Sequence, residues 1–147
     1  MRVFVASAVL AGMGAPWVAG APSLDPELSS RLRRVESAFR SGSAPKLREV
    51  LAGGKVRVDL RELTGGAGSY GAGQLEVIFA RIFDENRTRE FAFRDQDVTV
   101  SGPGTAFAPA RWVRRPRADG TEATDTLTFT LREEGGDWRI DEIRSSR

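Results

Sequence analysis

Apolar positions recur along this chain with two periods, and each run of one period predicts an element. Leu28, Leu32, Val35 and Phe39 follow at spacings of four, three and four, one stripe down a helix. Asp25-Pro26-Glu27 ahead of them has the order of a helix start. It offers a side-chain cap, a proline at the first helical position and an acid near the positive end of the dipole. Gly42 is a natural stop. Ser43 opens a short second helix bearing Leu47, Val50 and Leu51, closed by Gly53-Gly54. From Lys55 to Arg61 the period falls to two, with Val56, Val58 and Leu60 on one face of a half-buried strand. A glycine-rich loop, Gly65 to Gly73, leads to the clearest amphipathic signal in the chain. There Leu75, Ile78, Phe79, Ile82 and Phe83 stand at i, i+3, i+4, i+7 and i+8 of a third helix.

After Asn86 the period is two and stays two. Phe91 and Phe93 share one face, whereas Val98 and Val100 have the opposite parity, so a register shift is expected within Arg94-Asp95-Gln96-Asp97, most simply a bulge. Thr105 to Arg115 reads as a further strand, turned at Arg117–Gly120. Leu127, Phe129 and Leu131 alternate next, Glu134-Gly135-Gly136-Asp137 turns, and Trp138 with Ile140 alternates again. Helices first and a meander of strands after predict a single α+β domain, three N-terminal helices packed on the concave face of a strongly curved antiparallel sheet. The expected core is Leu32, Val35, Phe39, Leu47, Leu51, Ile78, Phe79, Ile82, Phe129, Leu131, Trp138 and Ile140.

The first residues fit neither pattern. Val3 to Gly14 is apolar, rich in small residues and uncharged, and Ala19-Gly20-Ala21 has the small-x-small form of a cleavage site. The stretch is shorter than the roughly 20 residues that span a bilayer. Residues 1–21 are therefore read as a signal peptide, cut after Ala21 or one residue earlier, and 22–147 as the domain of a periplasmic or secreted protein. The leader contains Arg2 and no acid, so the net charge of +2 becomes +1 without it.

Composition narrows the chemistry. The 147 residues include neither Cys nor His, which removes disulfides, thiolate nucleophiles, zinc–thiolate sites and the commonest neutral-pH base and metal ligand. No metal and no cofactor is expected. The pI near 9.6 reflects a small positive excess with little to titrate in mid-range, and it is no argument for nucleic acid. Gly66-Ala-Gly68-Ser-Tyr-Gly71 matches G-x-G-x-x-G in letters, but the strand after its helix is polar and alternating, as no dinucleotide-binding βαβ unit requires. Arg111, Arg114, Arg115 and Arg117 surround Trp112. With acids at Asp119, Glu122 and Asp125 close by, they read better as a solvated hairpin with Trp112 inward than as a nucleic-acid patch. Asn86-Arg87-Thr88 has the pattern of a glycosylation sequon and is read as chance.

Two helices, a strand, a third helix and a long meander resemble the nuclear transport factor 2-like (cystatin-like, SnoaL-like) superfamily. The final Leu127-Thr-Phe-Thr-Leu-Arg132, its glycine turn and Trp138-Arg-Ile140-Asp-Glu-Ile143 resemble that superfamily's last hairpin. Val35-Glu-Ser-Ala-Phe39-Arg-Ser-Gly42 resembles its first helix and turn. The resemblance covers roughly residues 27–145, and it is nearest to small exported bacterial proteins. It implies a cone-shaped cavity between helices and sheet, used for catalysis in some members and for binding or dimerisation in others. A small-molecule ligand there would meet Tyr70, Phe79, Phe83, Arg111 and Trp112. The enzymatic alternative, a lyase, isomerase or hydrolase of the SnoaL-like kind, would pair Asp95 as base with Tyr70 as donor. Asp59, Asp97 and Glu142 are the other carboxylates considered. The favoured expectation is a non-enzymatic module that binds a small molecule or its own second copy. For the homodimer the surface would be the face bearing Thr126, Thr128 and Thr130, opposite in parity to Leu127, Phe129 and Leu131, beside whichever parity of Ala106 to Val113 faces out. An ordinary solvated β face is the alternative.

Overall fold

The computed structural model describes residues 24–146, so the leader assigned to residues 1–21 lies outside it. Helix α1 spans Pro26–Ser41, α2 Ala44–Arg48 and α3 Ala72–Glu85. The strands are β1 Val56–Asp59, β2 Ala67–Tyr70, β3 Asn86–Phe93, β4 Thr99–Ser101, β5 Thr105–Pro116, β6 Ala123–Glu134 and β7 Asp137–Ser146. They form one seven-stranded sheet in the order β2-β1-β7-β6-β5-β3, with β4 alongside β5 next to β3. The architecture is the α+β arrangement expected, helices before the meander and all on one face of the sheet.

The caps are those the sequence offered. Asp25 accepts the Glu27 amide at 3.0 Å, and Gly42 closes α1 in the left-handed region at φ 65°. Ser43 accepts the Lys46 amide at 3.3 Å to start α2.

The sheet is antiparallel except where β1 runs parallel to β7, pairing Val58 with Ile143. The chain leaving α2 explains this. Ile140 donates to the Val50 carbonyl at 2.7 Å and accepts from the Ala52 amide at 2.8 Å, so residues 50–52 already travel along β7 before β1 begins.

The register shift anticipated at Arg94–Asp97 is no bulge. Asp95–Asp97 forms a single 3₁₀ turn that ends β3 and releases β4, and both strands then pair with β5 in succession. Register shifts of the bulge kind occur instead at Thr88/Glu90 against β5 and at Thr130/Leu131 against β7, and a bulge of this kind kinks its strand and increases the local twist. Pro109 stands in β5 where that strand passes from β4 to β3, so its missing N–H breaks no ladder bond on that side.

Eleven of the twelve expected core residues are buried, and Ile78 packs partly buried against the same cluster. Its centre is aromatic. Phe39 stacks on Phe91 at 4.1 Å between ring centroids and meets Phe79, Phe83, Trp112 and Phe129 edge-on within 6.0 Å. Such tilted contacts match positive ring edges to negative faces.

Glu36 is the one buried acid among the described residues. It accepts the Phe93 amide at 2.9 Å and lies 3.3 Å from the Arg33 guanidinium, which ties α1 to the end of β3.

Candidate functional site

The residues expected to bind a ligand or act on one are not gathered in one place. Phe79 and Trp112 are fully buried, and Phe83 nearly so, each with its ring against Phe39. Arg111 points to the opposite face of the sheet, where it pairs with Glu90 at 3.1 Å. Tyr70 is in no loop. It ends β2 across from Val56, on the helix-covered side, and its hydroxyl folds back over Gly68. Asp95 is bound to Arg33 of α1 in the turn after β3. Tyr70 and Asp95 thus belong to the two opposite margins of the sheet. Asp97 pairs with Arg94 at 3.5 Å, Asp59 caps the Arg61 amide at 3.1 Å, and Glu142 lies 3.9 Å from Arg57 on the outer face.

What the structure does assemble is a polar cluster around Arg114. This residue continues the inward parity of Ala106, Ala108, Ala110 and Trp112 along β5. Its side chain is 13% exposed. Its Nε donates to Asp125 Oδ2 at 2.7 Å, its Nη1 to Asn86 Oδ1 at 2.7 Å, and its guanidinium lies 5.4 Å from the Trp112 ring centroid. Asn86 is buried and completes its own amide by donating from Nδ2 to the Ile82 carbonyl at 3.0 Å. Thr88 accepts the Trp112 indole N–H at 3.0 Å. The Asn and Thr of the apparent sequon therefore both bond to β5 side chains, Asn86 buried and Thr88 partly buried.

Two clefts open on either side of Arg114. One, of about 520 Å³, lies toward Leu63, Pro116 and Ala118, with Asp84 and Arg117 at its rim. The other, of about 470 Å³, lies toward Arg61 and the ends of β6 and β7. Arg61 is the only non-glycine residue among those described with positive φ, at 54°. The turn holds it there: Asp59 accepts its amide, and its carbonyl accepts from Thr64 at 3.1 Å and Gly66 at 2.9 Å.

The parity of Arg114 was the signal that could have found this cluster, since it is a charge falling on a row otherwise made of alanines and a tryptophan. Among the described residues, no group of three or more acids could hold a metal ion, and no helix is long and apolar enough to cross a membrane.

The overall arrangement of helices and sheet is shared with solved structures. A DUF4783 family protein from Bacteroides uniformis superposes with a TM-score of 0.64 at 15% identity, covering 78% of this chain and 94% of that one. An NTF-2 like protein of unknown function from Shewanella oneidensis gives 0.63 at 14% identity, covering 82% and 97%. The fold is nuclear transport factor 2-like. A ketosteroid isomerase-like protein from Erwinia carotovora atroseptica shares it too, at a TM-score of 0.61 and 17% identity, over 84% of this chain and 97% of its own. No family model and no curated protein matches the sequence. In this nuclear transport factor 2-like chain the space between helices and sheet is occupied by the Phe39-centred ring cluster.

Proposed function

We propose that this chain is an exported, non-enzymatic nuclear transport factor 2-like module that works as a homodimer through the open face of its sheet. The observation that carries the reading is Phe107. It is 39% exposed on the outer face, between Thr99 and Thr130 on the flanking strands and two residues from Pro109. Around it the charges are balanced, Arg57 with Glu142 and Arg132 with Asp141 at 2.7 Å. A face with an apolar centre and paired charges of both signs is self-complementary under a two-fold axis, which suits a second copy of the same chain. Light scattering of the protein is the test, with Thr128→Lys as the probe. A dimer that this substitution converts to monomer supports the reading, and a monomer at about 100 μM, where a weak homodimer would already form, removes it.

A small molecule inside the cone would have to displace rings that already satisfy one another, which is why the sheet is preferred to the cavity. The enzymatic alternative, a lyase, isomerase or hydrolase, needs a base and a donor converging on one ligand atom. Asp95 is taken by Arg33, and Tyr70 lies along the far margin, so the isomerase-like neighbour lends this chain a fold and no constellation. Export rests on the uncharged stretch Val3–Gly14 and the small residues before Pro22. Amino-terminal sequencing of protein from its host should begin at Ala21 or Pro22, and an intact Met1 on cytoplasmic protein would refute it.

A further inference from the structure

We propose that β6 holds a self-recognition segment, residues 126–131, whose partner is the same segment of a second, unfolded copy of this chain. Among the described strands only β6 contains six consecutive residues with no charge, proline or glycine. They read Thr-Leu-Thr-Phe-Thr-Leu, each of them β-branched or large and apolar. Strong strand preference, no charge and no proline over six residues are what a cross-β stack requires. Strict alternation adds two clean faces. Leu127, Phe129 and Leu131 suit a dry contact between stacked sheets, and the three threonines suit a ladder of hydroxyls.

The folded protein gives this segment no open edge. Strand β5 pairs along one side of it, from Ala106 opposite Leu131 to Arg111 opposite Thr126. Strand β7 pairs along the other, from Ile140 opposite Leu131 to Ser146 opposite Thr126. The apolar row of Leu127, Phe129 and Leu131 is buried in the core. Charges close both ends, Asp125 held by Arg114 at 2.7 Å and Arg132 by Asp141 at 2.7 Å. Charged residues in such flanking positions hold back strands that would otherwise stack. With both edges paired and its apolar row covered, the segment is released only when the sheet opens. Association therefore follows the unfolded population rather than the folded surface. It is independent of dimerisation through the sheet face, which needs β6 in place.

The test is thioflavin T fluorescence with fibre diffraction on the protein held in urea at its unfolding midpoint, beside a sample in buffer alone. Fibrils with the cross-β spacing of about 4.8 Å are expected at the midpoint and none in buffer. Digestion of those fibrils, read by mass spectrometry, should leave a resistant core that contains residues 126–131. Thr128→Asp puts a charge in the middle of the segment, whereas in the fold that position stands opposite Arg144. At its own urea midpoint this variant should lengthen the lag at least about tenfold. Ser146→Asp adds the same charge to the same face of the next strand but outside the segment, and should leave the lag within about twofold. No fibrils at the midpoint, fibrils forming as fast in buffer, or a resistant core elsewhere in the chain would each overturn the proposal. So would Thr128→Asp assembling at the parental rate, or Ser146→Asp slowing assembly as much as Thr128→Asp.

Discussion

Trp138 donates its indole N–H to Asp25 at 3.2 Å, joining the last hairpin to the cap of the first helix across 113 residues of sequence. The other oxygen of the same carboxylate caps α1 through the Glu27 amide, and Arg31 one turn on pairs with Asp137 at 3.0 Å. Asp25→Ala should therefore cost more than an ordinary cap, about 1–2 kcal/mol, because two acceptors are lost together. Trp138→Phe keeps the burial and loses one bond, and should cost about 1 kcal/mol. Trp138→Ala empties a buried site and should cost about 3–5 kcal/mol. Urea midpoints of the singles and of Asp25→Ala/Trp138→Phe would read the coupling, and strict additivity would mean that the bond is not made in solution.

Arg114 makes a different kind of link, a partly buried charge held by one acid, one amide and one ring. Asp125→Asn retains the shape and removes the countercharge, so the arginine is left underpaired. A loss of about 1–3 kcal/mol is expected, with Arg114→Met milder than the sum of its lost contacts because the charge departs with them. The outer-face pair Arg111–Glu90 is the control. Both side chains are about half exposed, and Glu90→Gln should change the urea midpoint by almost nothing.

Asn86 carries the sequon pattern but spends its amide on Arg114 and Ile82. Secretion from a glycosylating host should yield protein whose mass is that of the bare chain. A glycan on Asn86 would mean that the residue leaves the interior, and the Arg114 cluster would then have to be redrawn.

The parts of this molecule that were legible from sequence are those where burial imposes a period. Leu75, Phe79, Ile82 and Phe83 mark α3 because a helix half sunk in a core must repeat every 3.6 residues. Leu127, Phe129 and Leu131 mark β6 by the same logic at period two. The parity change between Phe93 and Val98 was read correctly as a change of register, but period alone does not distinguish a bulge from a turn between two short strands. The bulge opposite Thr130/Leu131 did leave a trace, in the three-residue step from Ile140 to Ile143 where Trp138 to Ile140 takes two. Strand β2 left none, since four residues containing a glycine at a sheet edge bury too little to enforce alternation. The site was harder still. Arg114, Asn86 and Asp125 come from three strands, and only β-pairing brings them together.

Gly68 and Tyr70 give the last prediction. Gly68 has no positive φ, so its backbone would accept any residue; what excludes a side chain is space. A Cβ built there would overlap the Tyr70 hydroxyl and ring, because that side chain lies flat over the glycine on the helix-covered side of the sheet. Gly68→Ala should therefore lift Tyr70 off the strand and cost about 1–3 kcal/mol, as overpacking does. Tyr70→Ala alone should cost a comparable amount through lost packing against the core. Together they should cost less than their sum, because the alanine then has nothing to displace. Tyr70 is the only tyrosine, so its ring signals in the NMR spectrum report the displacement directly. Unmoved Tyr70 signals in Gly68→Ala, or additive losses in the double variant, would show that the ring does not rest on this glycine.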